Sequence, residues 1–274
     1  MRIRLRSVVL EYDRGLPTAT TALAAVDLDV GAGQSIAVIG PTGSGKTSLL
    51  EIMAGLARPT EGEALADGAN GADGLRGLAG LVYQFPESQF FEETVFDDVA
   101  FGPRRQGLPE SDVRDRVAAA LDRAGLPPDR FAGRSPLSLS AGEKRRAAIA
   151  CILALGRPFL LLDEPTAGLD PLTRRRIAEL IVSEAAAGRG VVVVTHDLEL
   201  VDRVAQRTIA MSRGRIVADR ATDRIFRDAD LLRELGLEPP ARYALVEALR
   251  SRLPDEADSV ERLVLPRLAD APGR

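Results

Sequence analysis

The stretch Gly40-Pro41-Thr42-Gly43-Ser44-Gly45-Lys46-Thr47-Ser48 narrows the possible folds more than any other part of the chain. An apolar run, Ile36 to Ile39, precedes it and reads as a buried parallel strand, and a helical pattern through Leu49, Leu50 and Met53 follows it. Strand, glycine-rich turn and helix in that order put a GxxxxGK[ST] motif in the context its mechanism needs. The glycines let backbone N–H groups turn inward on a polyphosphate, and the helix N-terminus adds partial positive charge at the same point. Lys46 supplies the formal charge, and the Thr47 hydroxyl suits Mg²⁺. Of the 36 Lys and Arg residues only Lys46 and Lys144 are lysine. A compact ammonium at position 46 is therefore a chemical choice and not a compositional habit.

Two more apolar runs deliver polar groups at their ends. Phe159 to Leu162 reads as a buried strand that presents Asp163 and Glu164 side by side, a costly pairing unless the carboxylates bind something. The first can hold Mg²⁺ and the second can orient or deprotonate an attacking water. Val191 to Val194 ends in Thr195-His196-Asp197, and His196 is the single histidine, placed where ligand sites form in α/β sheets. A short strand, Leu81 to Gln84, ends in an amide. Three buried strands alternating with helices predict an α/β fold with a mainly parallel core sheet.

The remaining pattern surrounds that core. Residues 2 to 10 and 23 to 30 alternate as half-buried antiparallel strands. Tyr12 ends the first of them, where its ring either lies against a nucleotide base or covers core at a sheet edge. Residues 111 to 124 read as a helix with Val113, Val117, Leu121 and Ala124 on one face. Leu139-Ser140-Ala141-Gly142-Glu143 opens another, either a second anion-facing helix start or simply a well-capped one. The run Lys144-Arg145-Arg146 is expected to be a solvated face. Asp170 and Pro171 start a helix that Gly188 ends, and Thr208 to Met211 with Arg215 to Ala218 form a hairpin. Beyond Arg220 the pattern is helical, interrupted at Pro239-Pro240 and Pro254, with residues 267 to 274 expected to fray.

Composition excludes some functions. A net charge of −4 argues against a nucleic-acid binder held by bulk electrostatics. One cysteine, Cys151, leaves no internal disulfide and reads as a small core residue. No window is long and apolar enough for a membrane span, and MRIRLRSVVLEY alternates like a strand instead of a signal peptide, so the chain is expected in the cytoplasm. Five of the eight phenylalanines fall between 85 and 101, so that segment is either core or a docking surface.

The order of P-loop, strand-end Gln84, LSxG helix start, Asp163-Glu164 and His196 resembles the nucleotide-binding domain of ABC ATPases over roughly residues 1 to 220. The resemblance implies a P-loop NTPase of α/β class, with an antiparallel β-subdomain, a mainly parallel core sheet, a helical subdomain at about 85–155 and a helical C-terminal extension at 221–274. It implies ATP and Mg²⁺ as ligands. Tyr12 would stack on adenine, and Gly40 to Ser48 would form the Walker A motif around the phosphates. Thr47, Asp163 and Gln84 would hold the metal; Glu164, His196 and Gln84 would serve catalysis. Ala167-Gly168-Leu169-Asp170 would be the D-loop, and Ser140 and Gly142 of a second chain would close over the nucleotide. Ala141 stands where the family's LSGGQ has glycine and Glu143 where it has glutamine, and the Glu143 carboxylate is expected to point away from the γ-phosphate.

Within ABC ATPases, Gln84-Phe85-Pro86-Glu87-Ser88-Gln89-Phe90-Phe91-Glu92-Glu93-Thr94-Val95, Phe101-Gly102-Pro103 and Arg134-Ser135-Pro136 most resemble the ATPase subunits of energy-coupling-factor (ECF) transporters. That implies a second ATPase, identical or paralogous, a transmembrane coupling component, a membrane protein that captures a vitamin or transition-metal ion, and a place on the cytoplasmic face of the membrane. It implies no nucleic-acid partner. The aromatic cluster would be a socket for coupling helices. An ATPase of another ABC importer or exporter is the alternative. A soluble ABC mechanoenzyme fits less well, since the chain holds one cassette with 94 residues between Lys46 and Ser140 and no room for a long coiled coil. A P-loop kinase or GTPase would lack the LSxG helix and the histidine.

Overall fold

In a computed structural model, described for residues 1–67, 69–70, 74–85, 90–252 and 264–265, two sheets and a helical insertion surround the P-loop. Positions 86–89, Pro254 and residues 267–274, on which some of the expectations above fall, lie outside the described residues. The first sheet is antiparallel and comprises β1 (Arg2–Tyr12), β2 (Thr20–Gly31), β4 (Glu61–Ala66) and β5 (Ala69–Asn70), in the order β2-β1-β4-β5. Ile3 pairs with Val30 and Leu5 with Leu28, so their apolar sides share one face as the alternation requires.

The second sheet has six strands: β3 (Ser35–Ile39), β6 (Ala79–Val82), β7 (Phe159–Asp163), β8 (Gly190–Val194), β9 (Arg207–Ser212) and β10 (Arg215–Ala221), in the order β10-β9-β3-β8-β7-β6. It is parallel except for the β9-β10 hairpin, whose turn residues Arg213 and Gly214 both take positive φ. Strands β3, β7 and β8 are buried at every position. Successive side chains point to opposite faces: Ala37, Ile39, Leu160, Leu162, Val191 and Val193 join one core, and Ile36, Val38, Phe159, Leu161, Val192 and Val194 join another. A sheet with a core on both faces reads as unbroken apolar runs, and that is why its strands were legible in the sequence.

Helix α1 (Lys46–Met53) follows β3 and packs against β2, β6 and β7. Between β6 and β7 lie α2 (Val95–Arg105), α3 (Glu110–Arg123), α4 (Pro128–Phe131), a 3₁₀ turn at Pro136–Ser138 and α5 (Ala141–Ala154), with α2, α3 and α5 packed on one another. Helix α6 (Pro171–Ala186) links β7 to β8, and α7 (Leu198–Val204) links β8 to β9. The chain then runs through α8 (Thr222–Phe226), α9 (Ala229–Glu234) and α10 (Ala241–Arg252).

The structure departs from the sequence expectations in three places. Strand β6 stops at Val82, leaving Tyr83 and Gln84 beyond it. The basic run is not a solvated face: Arg145 and Arg146 are buried, because their guanidinium groups collect backbone carbonyls left open at neighbouring segment ends. Cys151 is only half-buried, at the edge of the helical core, where burial still pushes its thiol up.

Candidate active site

The P-loop is shaped by glycine. Gly40, Gly43 and Gly45 all take positive φ, which L-residues with a side chain rarely adopt. A Cβ at Gly40 would meet Met211 O at 2.1 Å and one at Gly45 would meet Ala22 O at 2.3 Å, so β9 and β2 press the loop into shape. Gly45 caps α1 without a side-chain hydrogen bond, which leaves N–H groups of the first turn available to an anion. Lys46 reaches back across the loop, donating to Gly40 O at 2.8 Å and Pro41 O at 2.7 Å. Burial pulls its ammonium below the ordinary lysine range, against the opposing pull of Glu164 and Asp163.

The Thr47 hydroxyl donates to Asp163 Oδ2 at 2.7 Å. Asp163 is buried, and desolvation holds its carboxyl above the usual range although the Thr47 bond lowers it. A hydroxyl and an electrostatically under-compensated carboxylate side by side form a donor set that fits a hard divalent cation. Ser48 lies 3.1 Å from the Tyr12 hydroxyl, which also donates to Glu51 Oε2 at 3.1 Å. Tyr83 donates to the other Glu51 oxygen at 3.3 Å. Glu51 thus tethers an exposed aromatic ring beside the P-loop helix, a role the sequence reading missed.

Glu164 leaves its strand with φ 48°, a conformation that costs a non-glycine residue about 1–3 kcal/mol. Its N–H donates to Val194 O at 2.8 Å, and its carboxylate is turned to the end of β8. Oε1 accepts from His196 N at 3.1 Å and lies 2.8 Å from His196 Nδ1, while Oε2 accepts from the Thr195 hydroxyl at 3.0 Å. Thr195, which in sequence is only part of a strand end, is a fully buried hydroxyl that orients the carboxylate. The His196 ring is mostly exposed.

The other expected residues stand apart. Gln84 is held through its backbone carbonyl by Arg145, and among the described residues no hydrogen bond joins its side chain to Thr47 or Asp163. Ser140 caps α5 by accepting from Glu143 N at 3.3 Å, while the Glu143 carboxylate accepts from Ser140 N at 2.8 Å, a reciprocal capping box. Ala141 is absent from the positive-φ residues, so no glycine is needed there. Gly142 faces Thr173 at the start of α6, not the P-loop. Among the described residues no hydrogen bond or ion pair links 140–143 to 40–47.

Residues 23–167 match the family described as ABC transporter. The chain belongs to the ABC transporter family, as an ATP-binding subunit. The energy-coupling factor transporter ATP-binding protein EcfA2 of Symbiobacterium thermophilum is 43% identical over 92% of this chain and 89% of its own length. The EcfA protein of Methanothermobacter thermautotrophicus is 39% identical over 90% and 80%. Among solved structures, cbiO1 from Clostridium perfringens, part of an ABC transporter complex, superposes with TM-score 0.75 at 29% identity, covering 94% of this chain and 98% of that one. A dimeric ATP-binding cassette in a post-hydrolysis state with ADP and Pi gives TM-score 0.72 at 30% identity, covering 80% and 98%. An ABC subunit of this kind binds ATP and couples its hydrolysis to transport, and the ABC cassette fold expected from the motifs is the fold observed. Among the described residues no helix is long and apolar enough to cross a membrane.

Proposed function

We propose that the chain is the ATPase of an ECF-type importer, working as one half of a two-chain clamp that drives uptake of a vitamin or transition-metal ion. The observation that carries this reading is the separation of the two phosphate-facing helix starts. Lys46, Thr47, Asp163, Glu164 and His196 gather at one edge of the sheet, whereas Ser140 and Gly142 open a helix with no bond to them. Within one chain the site is half-built, and a second copy or paralogue supplies the missing half.

In this reading the P-loop N–H groups and Lys46 hold the β- and γ-phosphates, and Tyr12 stacks on the base. Thr47, Asp163 and Gln84 would hold Mg²⁺, which would neutralise phosphate charge. Glu164 orients and deprotonates the attacking water, and His196 holds Glu164 and meets the γ-phosphate. Ser140 keeps its hydroxyl proton free to donate, since its oxygen is the acceptor in the capping box. The exposed rings of Phe85, Phe91 and Phe101, stacked edge-on for the last two at 4.7 Å, supply apolar area for a membrane subunit on the cytoplasmic face. The cassette takes residues 1–220, with the helical insertion at about 85–155 as the part that receives the membrane subunit. Residues 221–274 help pair the ATPases, with no role for nucleic acid.

Affinity purification of the tagged chain from its native membranes tests the reading. Recovery of a second ABC ATPase with an ECF-type transmembrane component is expected. Recovery of an unrelated ABC permease instead overturns the ECF assignment in favour of another importer or exporter, and recovery of no membrane protein overturns both.

A further inference from the structure

Helix α5 carries the basic pair Arg145-Arg146 and helix α2 the acidic pair Asp97-Asp98, and in each pair a charged side chain is buried and turned toward the same stretch of backbone. Arg145 is 6% exposed. Its Nη1 donates to Gln84 O at 2.5 Å and reaches Tyr83 O at 3.4 Å, bridging positions 61 residues apart. Asp98 is also 6% exposed. Its Oδ1 accepts from the N–H groups of Phe91 at 3.1 Å and Glu92 at 3.3 Å, while no donor among the described residues meets Oδ2. Its neighbour Asp97 behaves like an ordinary surface acid paired with Arg104.

Burying a carboxylate is unfavourable, and desolvation accordingly raises the Asp98 carboxyl against the pull of the two N–H groups. An apolar residue would fill the same space more cheaply. What the acid adds is a grip on the backbone at Phe91 and Glu92, as Arg145 adds one at Tyr83 and Gln84. Both grips come from the same packed helical unit, since α2 lies against α5. Arg145 lies five positions beyond Ser140, a rise of about 7.5 Å along the helix.

We propose that Arg145 and Asp98 are positioning residues that fasten the backbone at Tyr83 and Gln84 to α5 and the backbone at Phe91 and Glu92 to α2, so that displacement at the Ser140 end of α5 is transmitted to the exposed rings of Phe85 and Phe91. The inference rests on the clamp reading above and adds the linkage between nucleotide closure and the docking face. Phe91 sits on one flank and Phe85 follows Gln84 on the other, so each ring is one residue or less from a pinned peptide group.

Backbone amide exchange tests it on the 274-residue chain carrying Glu164→Gln to hold the closed state. ATP with Mg²⁺ should drive dimer formation, read by light scattering, and should change exchange at Tyr83 to Phe85 and at Phe90 to Glu92. Adding Arg145→Leu or Asp98→Ala should leave ATP affinity and dimerisation in place while reducing that ATP-dependent change about fivefold or more. Arg145→Lys keeps a donor and Asp98→Asn keeps the acceptor, so both should retain most of the response. An undiminished response in Arg145→Leu and Asp98→Ala overturns the proposal. So does a loss that tracks Tm equally through all four variants, which marks a role in folding alone. Absence of ATP-dependent dimers in the Glu164→Gln parent overturns the clamp reading itself, and this proposal with it.

Discussion

In the proposed clamp two helix starts face phosphate, and they are built in opposite ways. At α1 the cap is Gly45 in a left-handed conformation with no side-chain bond, so the open N–H groups are left for a ligand. At α5 the cap is Ser140 in an extended conformation, closed by a reciprocal bond with Glu143. The first is a socket moulded by backbone, with β2 and β9 pressing on its glycines. The second is already satisfied and offers one hydroxyl proton and whatever its helix dipole adds. A socket of the first kind binds by itself; a cap of the second kind stabilises only a ligand already held elsewhere. In the proposed clamp that difference makes one start complete in a single chain and the other useful only across a pair.

Each prediction presses on that contrast. The largest effect is expected at Glu164, the acid that serves neither start: Glu164→Gln should lower turnover by roughly 10²–10⁴-fold and leave an ATP-bound dimer detectable by size-exclusion chromatography. Normal hydrolysis in that variant would overturn the catalytic role proposed for Glu164. Lys46→Ala should come next, with kcat/KM reduced about 10²–10³-fold and ATP affinity of the single chain lost. Ser140→Ala should instead lower kcat while the ATP affinity of the monomer, measured by calorimetry, stays unchanged. Equal loss of monomer affinity in both would erase the distinction between socket and cap.

Asp163 provides a pH test with a definite sign. Its carboxyl titrates above its unfolded value in the ligand-free chain, so its contribution to stability is fully present below the unfolded pKa and is lost as pH rises through the folded one. Asp163→Asn should therefore raise the Tm of the ligand-free chain at neutral pH, with the gain vanishing on acidification. The same variant should weaken the Mg²⁺-dependent rise in Tm seen with ATP. The smallest effect is expected at Glu143→Gln, because glutamine also completes a capping box: turnover should stay within about twofold, while Glu143→Ala should cost roughly 1 kcal/mol in denaturant titration. A many-fold change in turnover for Glu143→Gln would place that carboxylate near the γ-phosphate after all.

Much of this was legible in the residues because the informative strands are buried on both faces. Ile36 to Ile39, Phe159 to Leu162 and Val191 to Val194 had to be unbroken apolar runs, so the polar groups at their ends stood out. The buried members of the Lys144-Arg145-Arg146 run were not legible. A basic run on a helix is solvated unless a carbonyl lies within reach, and the carbonyls of Gln84 and Gly125 come from segments distant in sequence. Asp98 escaped notice for the same reason, since its partners are backbone N–H groups that any residue carries. Of the phenylalanines, Phe90 and Phe96 pack partly on the core while Phe85, Phe91 and Phe101 are exposed, a division that spacing alone does not make.

The sequence by itself determined the P-loop, the polar strand ends and the helix caps, because each depends on residues adjacent in the chain and on backbone conformations that few residue types allow. Only the tertiary structure decided that Glu164 is gripped by Thr195 and His196, that Ser140 stands apart from Lys46, and that Arg145 and Asp98 are buried around the segment after Gln84. Those facts depend on which distant segments meet, and hydrogen bonds to backbone atoms leave no residue-type signature by which a sequence could announce them.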